Sequence, residues 1–360
     1  MTGAQTFLIA AGGTGGHLFP GIAVATELRD REAGTRVVFA GTPKGLEGRL
    51  VPQAGFDLEL LPILPLNGVG ARRLLLGLLA LPRGLLRAAQ LVRRLAPVAV
   101  LGVGGYAGGP VCLAAALLGV RTVILEPNAT PGFTNRILRP FVRRAACAWP
   151  ETLRQFGSKG VLTGNPVRGG FANLPQRSPR VPRTLLAFGG SQGSRILNRT
   201  LLEAISHLPP AAELRVVHQT GAQAFEETLA AWRAAGRAAE VLPFIDDMER
   251  RLDEADLVLS RSGATTCAEL SAAGKPALLI PFAAAADDHQ RRNARAMEAE
   301  GAARVLEEAD ATGERLGALI TGLVADAKRL EGMGLAARRL GRPDAAARVA
   351  DLLTGEVPRV

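Results

Sequence analysis

The chain has 360 residues, 48% of them hydrophobic and 21% charged, which suits two globular domains with buried cores. Its formal net charge of +10 and sequence pI near 10.7 suggest an anionic partner, which would be nucleic acid, a lipid surface or a phosphorylated substrate; the alternative is a solvated arginine-rich surface. Aromatic residues make up only 4% and the basic residues are mostly arginine, which disfavours base stacking and therefore a nucleic-acid partner.

The first element predicted along the chain is a strand that ends in glycines. An apolar run at residues 7–11 is followed by Gly12-Gly13-Thr14-Gly15-Gly16-His17 and then by a helical pattern. Glycines let the backbone turn sharply and let a ligand approach closely, and the N–H groups at a helix start attract negative charge. This first glycine loop therefore predicts a cradle for an anion or a sugar.

The same arrangement recurs twice. Residues 98–103 lead into a second loop, Gly104-Gly105-Tyr106, and residues 184–188 lead into a third, Gly189-Gly190-Ser191-Gln192-Gly193. One glycine pair alone indicates a tight turn, whereas three such loops favour binding. The Gly-Lys-Ser/Thr of a Walker loop is absent, and Leu18 stands where the dinucleotide fingerprint needs glycine. Nucleoside triphosphate hydrolysis and hydride transfer are therefore disfavoured.

Leucines and arginines interleave over residues 71–95. Pro82 and Gly84 interrupt this segment, and its apolar part is shorter than the roughly 20 residues that cross a bilayer. Two interpretations stay open: a contact in the plane of an anionic membrane surface, or an ordinary crossover helix that packs its leucines on a sheet.

Apolar runs alternate with helical patterns throughout, which is typical of doubly wound parallel α/β domains. The further predicted strands are residues 36–40, 122–125, 214–218, 257–260 and 277–280. Residues 165–182 are rich in Pro, Arg and Gly and predict a linker.

We therefore expect a first domain at residues 1–163 and a second at 164–340. A C-terminal segment, 341–360, would pack back on the first domain through an amphipathic helix at 345–353. Two Rossmann-like domains would face each other across a cleft that holds the ligands.

The three cysteines, Cys112, Cys147 and Cys267, are far apart among small apolar residues and are expected to be core residues in a reducing compartment. The first apolar run has no basic segment before it, so it is interpreted as a strand rather than a signal peptide.

Six motifs follow one another across nearly the whole chain: residues 12–21, 104–106, 164–168, 189–193, 244–248 and 261–269. Together they resemble the MurG family of UDP-N-acetylglucosamine-dependent transferases, which convert lipid I to lipid II in peptidoglycan synthesis. The resemblance implies a GT-B fold and an inverting sugar transfer that needs no metal and no cofactor. Two positions depart from the family: Pro127 replaces the usual glutamine and Gly108 a common serine.

The resemblance also implies a location and partners. It places the enzyme peripherally on the cytoplasmic face of the plasma membrane. Its partners would be UDP-N-acetylglucosamine, lipid I, the anionic membrane surface and proteins of cell-wall synthesis and division, with no nucleic acid among them.

The resemblance places the donor residues mainly in the second domain. Ala264, Thr265 and Thr266 begin a helix whose N–H groups would hold the diphosphate, and Glu269 would accept hydrogen bonds from the ribose diol. Ile245 would offer backbone groups to the uracil edge, or else simply pack in the core.

Three more residues are assigned to the donor. Ser191 and Arg168 would supply a hydrogen bond and positive charge to the diphosphate, and Gln290 would bind the N-acetylglucosamine ring. The adjacent pairs Asp246-Asp247 and Asp287-Asp288 are interpreted as helix starts with N-caps rather than as metal ligands.

Inversion needs a base near the acceptor hydroxyl. Of the four histidines, His17 lies in a glycine loop, and imidazole titrates near neutrality, so we expect His17 to be the catalytic base, with an orienting role as the alternative. Thr14, Gly15 and Gly16 would give backbone contacts, and Asn128 would position the acceptor or the donor acetamido group.

Three other functions remain alternatives: another GT-B lipid glycosyltransferase, a nucleotide-sugar 2-epimerase and a basic nucleic-acid-binding protein. Residues 71–95 argue against the epimerase, which needs no hydrophobic acceptor surface.

Overall fold

The computed structural model describes residues 5–13, 15–43, 45–63, 71–177, 181–190 and 192–356, except for the side chains of residues 71–81, 106 and 286. Thr14 and Ser191, two of the predicted site residues, lie outside the described residues.

The strands in chain order are β1 (Thr6–Ala10), β2 (Arg36–Gly41), β3 (Asp57–Leu60), β4 (Ala99–Gly102), β5 (Arg121–Glu126), β6 (Arg144–Cys147), β7 (Gly160–Leu162), β8 (Arg183–Phe188), β9 (Leu214–Gln219), β10 (Glu240–Leu242), β11 (Leu257–Ser260), β12 (Ala277–Leu279) and β13 (Ala303–Val305). The helices are α1 (Gly15–Arg31), α2 (Glu47–Gln53), α3 (Ala71–Leu95), α4 (Gly105–Leu117), α5 (Phe133–Leu138), α6 (Pro150–Phe156), α7 (Arg195–Glu203), α8 (Phe225–Ala234), α9 (Met248–Glu254), α10 (Ala264–Ala273), α11 (His289–Ala299), α12 (Gly313–Ala325), α13 (Ala327–Leu340) and α14 (Ala345–Thr354).

These elements form two compact units. Unit 1 comprises Met1–Arg168 and Arg342–Val360, and unit 2 comprises Gly169–Gly341. In the described residues, unit 1 has a sheet in the order β3-β2-β1-β4-β5-β6-β7 and unit 2 one in the order β10-β9-β8-β11-β12-β13. Neighbouring strands are parallel in both. The prediction of doubly wound parallel sheets is therefore confirmed.

Each sheet reverses its order at one place. The reversal lies between β1 and β4 in unit 1 and between β8 and β11 in unit 2. Loops that leave two such strands in opposite directions open a crevice at the carboxyl ends, where ligands of open α/β sheets bind. The three glycine loops follow β1, β4 and β8, and α10 begins just after β11.

Helices cover both faces of the unit 1 sheet, which explains its uninterrupted apolar strands. Residues of α1 and α14, such as Leu18 and Val349, share a core with Ile9 of β1. On the other face Leu91 of α3 and Val111 of α4 share a second core.

The last helix is fixed to the first by an ion pair as well as by packing. Arg31 of α1 donates to Asp351 of α14 at 2.7 Å, and the Asp351 side chain is buried. Unit 1 therefore includes both ends of the described chain.

The described half of α3 has two faces. Ala88 and Leu91 are buried against the sheet, as a crossover helix requires, whereas Arg83, Leu86 and Arg87 are exposed. No helix among the described residues combines the length and apolar character needed to cross a bilayer. The three cysteines are free and buried, as predicted.

Candidate active site

The first two glycine loops pack directly against each other. Gly105 has a φ of +77°, and a Cβ there would lie 2.2 Å from the carbonyl oxygen of Gly12. Gly104 has a φ of +128°, and a Cβ there would lie 2.5 Å from Cδ2 of His17. Both positions require glycine by conformation and by space, so the loops and the imidazole form one packed surface at the carboxyl end of the sheet.

Helix α1 begins inside the first loop, at Gly15. Gly15 and His17 are half-buried and Gly16 is exposed, and all three lie in the first turn, at the positive end of the helix dipole. The guanidinium of Arg168 stacks on the ring of Phe19, 4.4 Å from its centroid. A cation and a helix start therefore stand side by side in unit 1.

Asn128 follows β5 at the same edge of the sheet, where the carboxylate of Glu126 holds it. Its backbone N–H and its Nδ2 donate to Oε1 of Glu126 at 3.1 and 3.2 Å. Since a carboxylate only accepts, the amide turns its NH₂ towards Glu126 and its Oδ1 to the other side.

Glu126 itself is almost completely buried. Its second oxygen accepts from the backbone N–H of Gly132 and from Nδ2 of Asn135, at 2.9 and 2.8 Å. Burial raises the pKa of Glu126 above its ordinary value, although the hydrogen bonds from Asn135, Gly132 and Asn128 oppose this. Sequence reasoning missed Glu126, and its position at the end of an apolar strand was the available signal.

The donor residues of unit 2 gather at the start of α10. Gly263 precedes the helix without a capping side chain, and Ala264, Thr265 and Thr266 form its first turn. Glu269 lies three and four positions after Thr266 and Thr265, hence on the same face, and helical side chains lean towards the N-terminus. It is 7% exposed, so it is not a solvent-facing helix residue.

Helix α11 is tied to the loop before α10. Ser262 donates to the backbone oxygen of Gln290 at 2.7 Å, and Nδ2 of buried Asn293 donates to the backbone oxygen of Ser262 at 3.2 Å. The side-chain oxygen of Gln290 accepts from the N–H of Phe282 at 3.0 Å, which leaves its NH₂ as the group to face a ligand. The side chain of Ile245 is buried, as core packing requires.

The third glycine loop also packs backbone against backbone. A Cβ at Gly193 would lie 1.9 Å from the carbonyl oxygen of Thr220, and one at Gly221 would lie 2.1 Å from that of Gln192. This loop, which leads into α7, is therefore held by the loop after β9.

A buried relay of polar side chains supports that contact. Nε1 of Trp232 donates to Nδ1 of His218 at 3.2 Å, and Nε2 of His218 lies 3.1 Å from Oδ1 of Asn198. Nδ2 of Asn198 in turn donates to the carbonyl oxygen of Thr220 at 2.9 Å. An indole N–H only donates, so His218 must be neutral with its proton on Nε2. Burial lowers the pKa of His218 to about 4.

The paired aspartates are placed only partly as expected. Asp247 and Asp288 stand directly before α9 and α11, but neither side chain makes the capping hydrogen bond. Asp247 accepts a hydrogen bond from Arg250, and Asp288 forms an ion pair with Arg291. The prediction of N-caps is therefore wrong, because each carboxylate pairs with a guanidinium and not with the helix N–H groups. Among the described residues, no group of three or more His, Cys, Asp or Glu is placed to hold a metal ion.

Comparisons with known proteins agree with this geometry. The model of the glycosyltransferase family 28 N-terminal domain matches residues 7–147, and that of the C-terminal domain of the same family matches residues 184–349. A UDP-N-acetylglucosamine--N-acetylmuramyl-(pentapeptide) pyrophosphoryl-undecaprenol N-acetylglucosamine transferase from Anaeromyxobacter sp. (strain Fw109-5) is 48% identical over 98% of this chain and 93% of its own length. The chain belongs to the MurG family.

Two further MurG family members support the assignment. The transferase of the same name from Solibacter usitatus (strain Ellin6076) is 43% identical over 98% of this chain and 96% of its own length. The crystal structure of Acinetobacter baumannii MurG matches with a TM-score of 0.81 and 34% identity, covering 98% of this chain and 99% of that one. The predicted GT-B fold and glycosyltransferase class are thus confirmed.

The two departures from the MurG family are accommodated locally. The carbonyl oxygen of Pro127 accepts a hydrogen bond from Nε1 of Trp149 at 3.2 Å. At Gly108 a Cβ would meet nothing nearer than the backbone oxygen of Ala10 at 3.8 Å, so there is space there for the Cβ of a side chain.

Proposed function

We propose that this protein transfers N-acetylglucosamine from UDP-N-acetylglucosamine to the C4 hydroxyl of the muramoyl sugar of lipid I, with inversion, to give lipid II. One observation carries the proposal: the carboxyl-end crevice of each unit holds a different set of groups, a histidine among glycines in unit 1 and an open helix start with a buried carboxylate in unit 2. The names of two relatives that are 48% and 43% identical describe an N-acetylglucosamine transferase with the same donor and an undecaprenol-linked acceptor.

Unit 2 would bind the donor. The first-turn N–H groups at Ala264, Thr265 and Thr266 offer hydrogen bonds to the diphosphate, whose charge grows as UDP leaves. Glu269 would accept from both ribose hydroxyls, and Gln290 would donate its NH₂ to the sugar. Ser191 would add a hydrogen bond to phosphate, and the backbone of Ile245 would contact uracil.

Unit 1 would bind the acceptor and start the reaction. The C4 hydroxyl oxygen attacks C1 of the donor sugar, the bond from C1 to the diphosphate oxygen breaks, and UDP leaves with its electron pair. His17 would take the hydroxyl proton. Thr14, Gly15 and Gly16 would contact the acceptor through their backbone, Asn128 would orient a sugar through Oδ1, and Arg168 would offset diphosphate charge.

A lipid-linked acceptor also requires a membrane, and we infer that unit 1 docks on it through α3 and α5. Both helices pack on α4. They expose large apolar side chains: Leu86 on α3, and Phe133, Ile137 and Phe141, spaced four residues apart, along α5 and the turn after it. Exposed arginines lie near these residues in the sequence: Arg83, Arg87, Arg136, Arg139 and Arg143.

A surface with apolar side chains between cations is typical of peripheral membrane binding, in which the apolar groups enter the interface and the cations contact anionic headgroups. The protein would accordingly be peripheral, on the cytoplasmic face of the plasma membrane, where it would meet proteins of cell-wall synthesis and division. It would need neither a metal nor a cofactor.

The test is a transfer assay with UDP-N-acetylglucosamine and lipid I, in which mass spectrometry identifies the product and NMR its anomeric configuration. The parent should form the β-linked disaccharide. His17→Ala should lower kcat by roughly 10²- to 10⁴-fold, the usual contribution of general-base catalysis, while UDP still raises the melting temperature.

His207→Ala, which changes an exposed histidine of unit 2, is the control and should keep parent turnover. A parent that transfers no sugar would refute the function. Near-parent turnover in His17→Ala would leave the function standing and remove His17 as the base.

A further inference from the structure

A carboxylate that no substrate is expected to touch lies directly behind the first glycine loop. Glu47, the first residue of α2, is 0% exposed. Its Oε2 accepts the backbone N–H of Gly13 at 3.0 Å, and its Oε1 accepts the N–H and the hydroxyl of Thr42 at 2.7 and 2.9 Å. Both oxygens are therefore engaged.

The chain around Glu47 is built to admit this side chain. A Cβ at Gly41 would lie 2.6 Å from Cγ of Glu47, one at Gly45 would lie 1.9 Å from Oε2, and one at Gly12 would lie 2.9 Å from Oε1. Three glycines thus leave the space that the carboxylate fills.

Gly13 is held from both sides. Its N–H donates to Glu47, and its carbonyl oxygen accepts from the N–H of Leu46 at 3.4 Å. Gly13 has a φ of +90°, a conformation that few side chains tolerate. The start of α2 therefore holds Gly13, two residues before α1 begins at Gly15.

We propose that Glu47 is a positioning residue for the transferase: its buried carboxylate fixes the first glycine loop and, through that loop, the imidazole of His17. His17 lies in the first turn of α1 and packs on Gly104, so a shift at Gly13 changes where the imidazole stands. The proposal rests on the proposed function, because it presupposes that His17 acts on the acceptor.

Two variants separate positioning from stability. Glu47→Gln keeps the size of the side chain but turns one acceptor into a donor, which must then face the donors of Gly13 or Thr42. Thr42→Val removes only the hydroxyl bond and leaves Gly13 held. Both variants disturb hydrogen bonds to the same buried carboxylate, but only the first changes the group that accepts from Gly13.

We expect Glu47→Gln to lower kcat by roughly 10- to 100-fold, since small displacements of a catalytic group cost that much. The KM for UDP-N-acetylglucosamine and the stabilisation by UDP should match the parent, because the proposed donor residues of unit 2 are untouched. Thr42→Val should keep near-parent kcat even where its melting temperature falls.

Parent turnover in Glu47→Gln, or equal losses of kcat in both variants, would overturn the proposal. Hydrogen exchange in the parent adds a test that needs no variant to fold: the Gly13 amide should be protected, and exchange as fast as in a free loop would also overturn it. Absence of transfer by the parent itself would refute the proposed function instead, so the two failures are distinguishable.

Discussion

The stability of unit 2 should depend on pH through His218. The imidazole is buried and neutral in the folded chain, with its pKa lowered to about 4 by burial, whereas an unfolded chain restores the ordinary value near 6.5. As the pH falls below 6.5, His218 binds a proton in the unfolded chain but stays neutral in the folded chain. Stability is therefore fully present above pH 6.5 and is lost as the pH falls towards 4.

The size of the effect follows from that difference. With 1.36 kcal/mol for each unit of pKa, this residue alone should lower the free energy of unfolding by about 2 kcal/mol between pH 7 and pH 5. Protonation at Nδ1 would also remove the acceptor of the Trp232 N–H. Moving the proton of the neutral ring from Nε2 to Nδ1 would have the same effect, so neither form keeps this hydrogen bond.

The assay is urea unfolding at pH 7 and pH 5, followed through Trp232 fluorescence in a Trp149→Phe background so that unit 2 alone reports. His218→Gln keeps a donor and an acceptor but does not titrate. The parent should lose about 2 kcal/mol more than this variant on going to pH 5. Equal pH dependence in the two proteins would refute the reasoning.

Three further outcomes are expected. Glu269→Ala should raise the KM for UDP-N-acetylglucosamine about tenfold or more, because hydrogen bonds to a charged group contribute roughly 1.5–3 kcal/mol; an unchanged KM would remove its ribose role. Turnover should be equal with and without EDTA, and a loss that Mg²⁺ restores would contradict metal-independent binding of the diphosphate by helix-start amides and Arg168. Replacing Arg83, Arg87 and Arg136 with glutamine should weaken binding to phosphatidylglycerol vesicles by about 1 kcal/mol each at low salt, with UDP binding retained; equal vesicle binding would argue against the α3 and α5 surface.

The central strands could be predicted from the sequence because they are buried on both faces. Apolar residues continue without a break from Phe7 to Ala10 in β1, and glycines follow its end, so the apolar run and the turn signal agree. Five strands escaped prediction: β3, β6, β7, β10 and β13. Each is only three or four residues long, too short for a clear periodicity, and all except β6 lie at sheet edges, where charged residues such as Glu59 and Arg304 interrupt the apolar pattern.

Candidate site residues could be proposed from the sequence only where a local pattern marks them. His17 and Glu269 lie in or beside motifs that predict a helix start. Glu47, Glu126 and His218 act through partners brought together by the fold: Glu47 and Gly13 are 34 residues apart, and nothing in either segment specifies the other. Gly41 and Gly45, which shortly precede Glu47 in the sequence, were the one local sign of the space that its side chain fills.

The chain leaves unit 1 and returns to it at neighbouring points. A Cβ at Gly164, just before the exit, would lie 2.4 Å from Cβ of Arg342, just after the return. Unit 2 is thus a single insert, Gly169–Gly341, with two adjacent junctions. Recombination between related genes would therefore exchange unit 2 alone only if crossovers occurred at both junctions. A single crossover at the first junction would also replace α14, whose Asp351 and apolar face must then fit an α1 from the other protein.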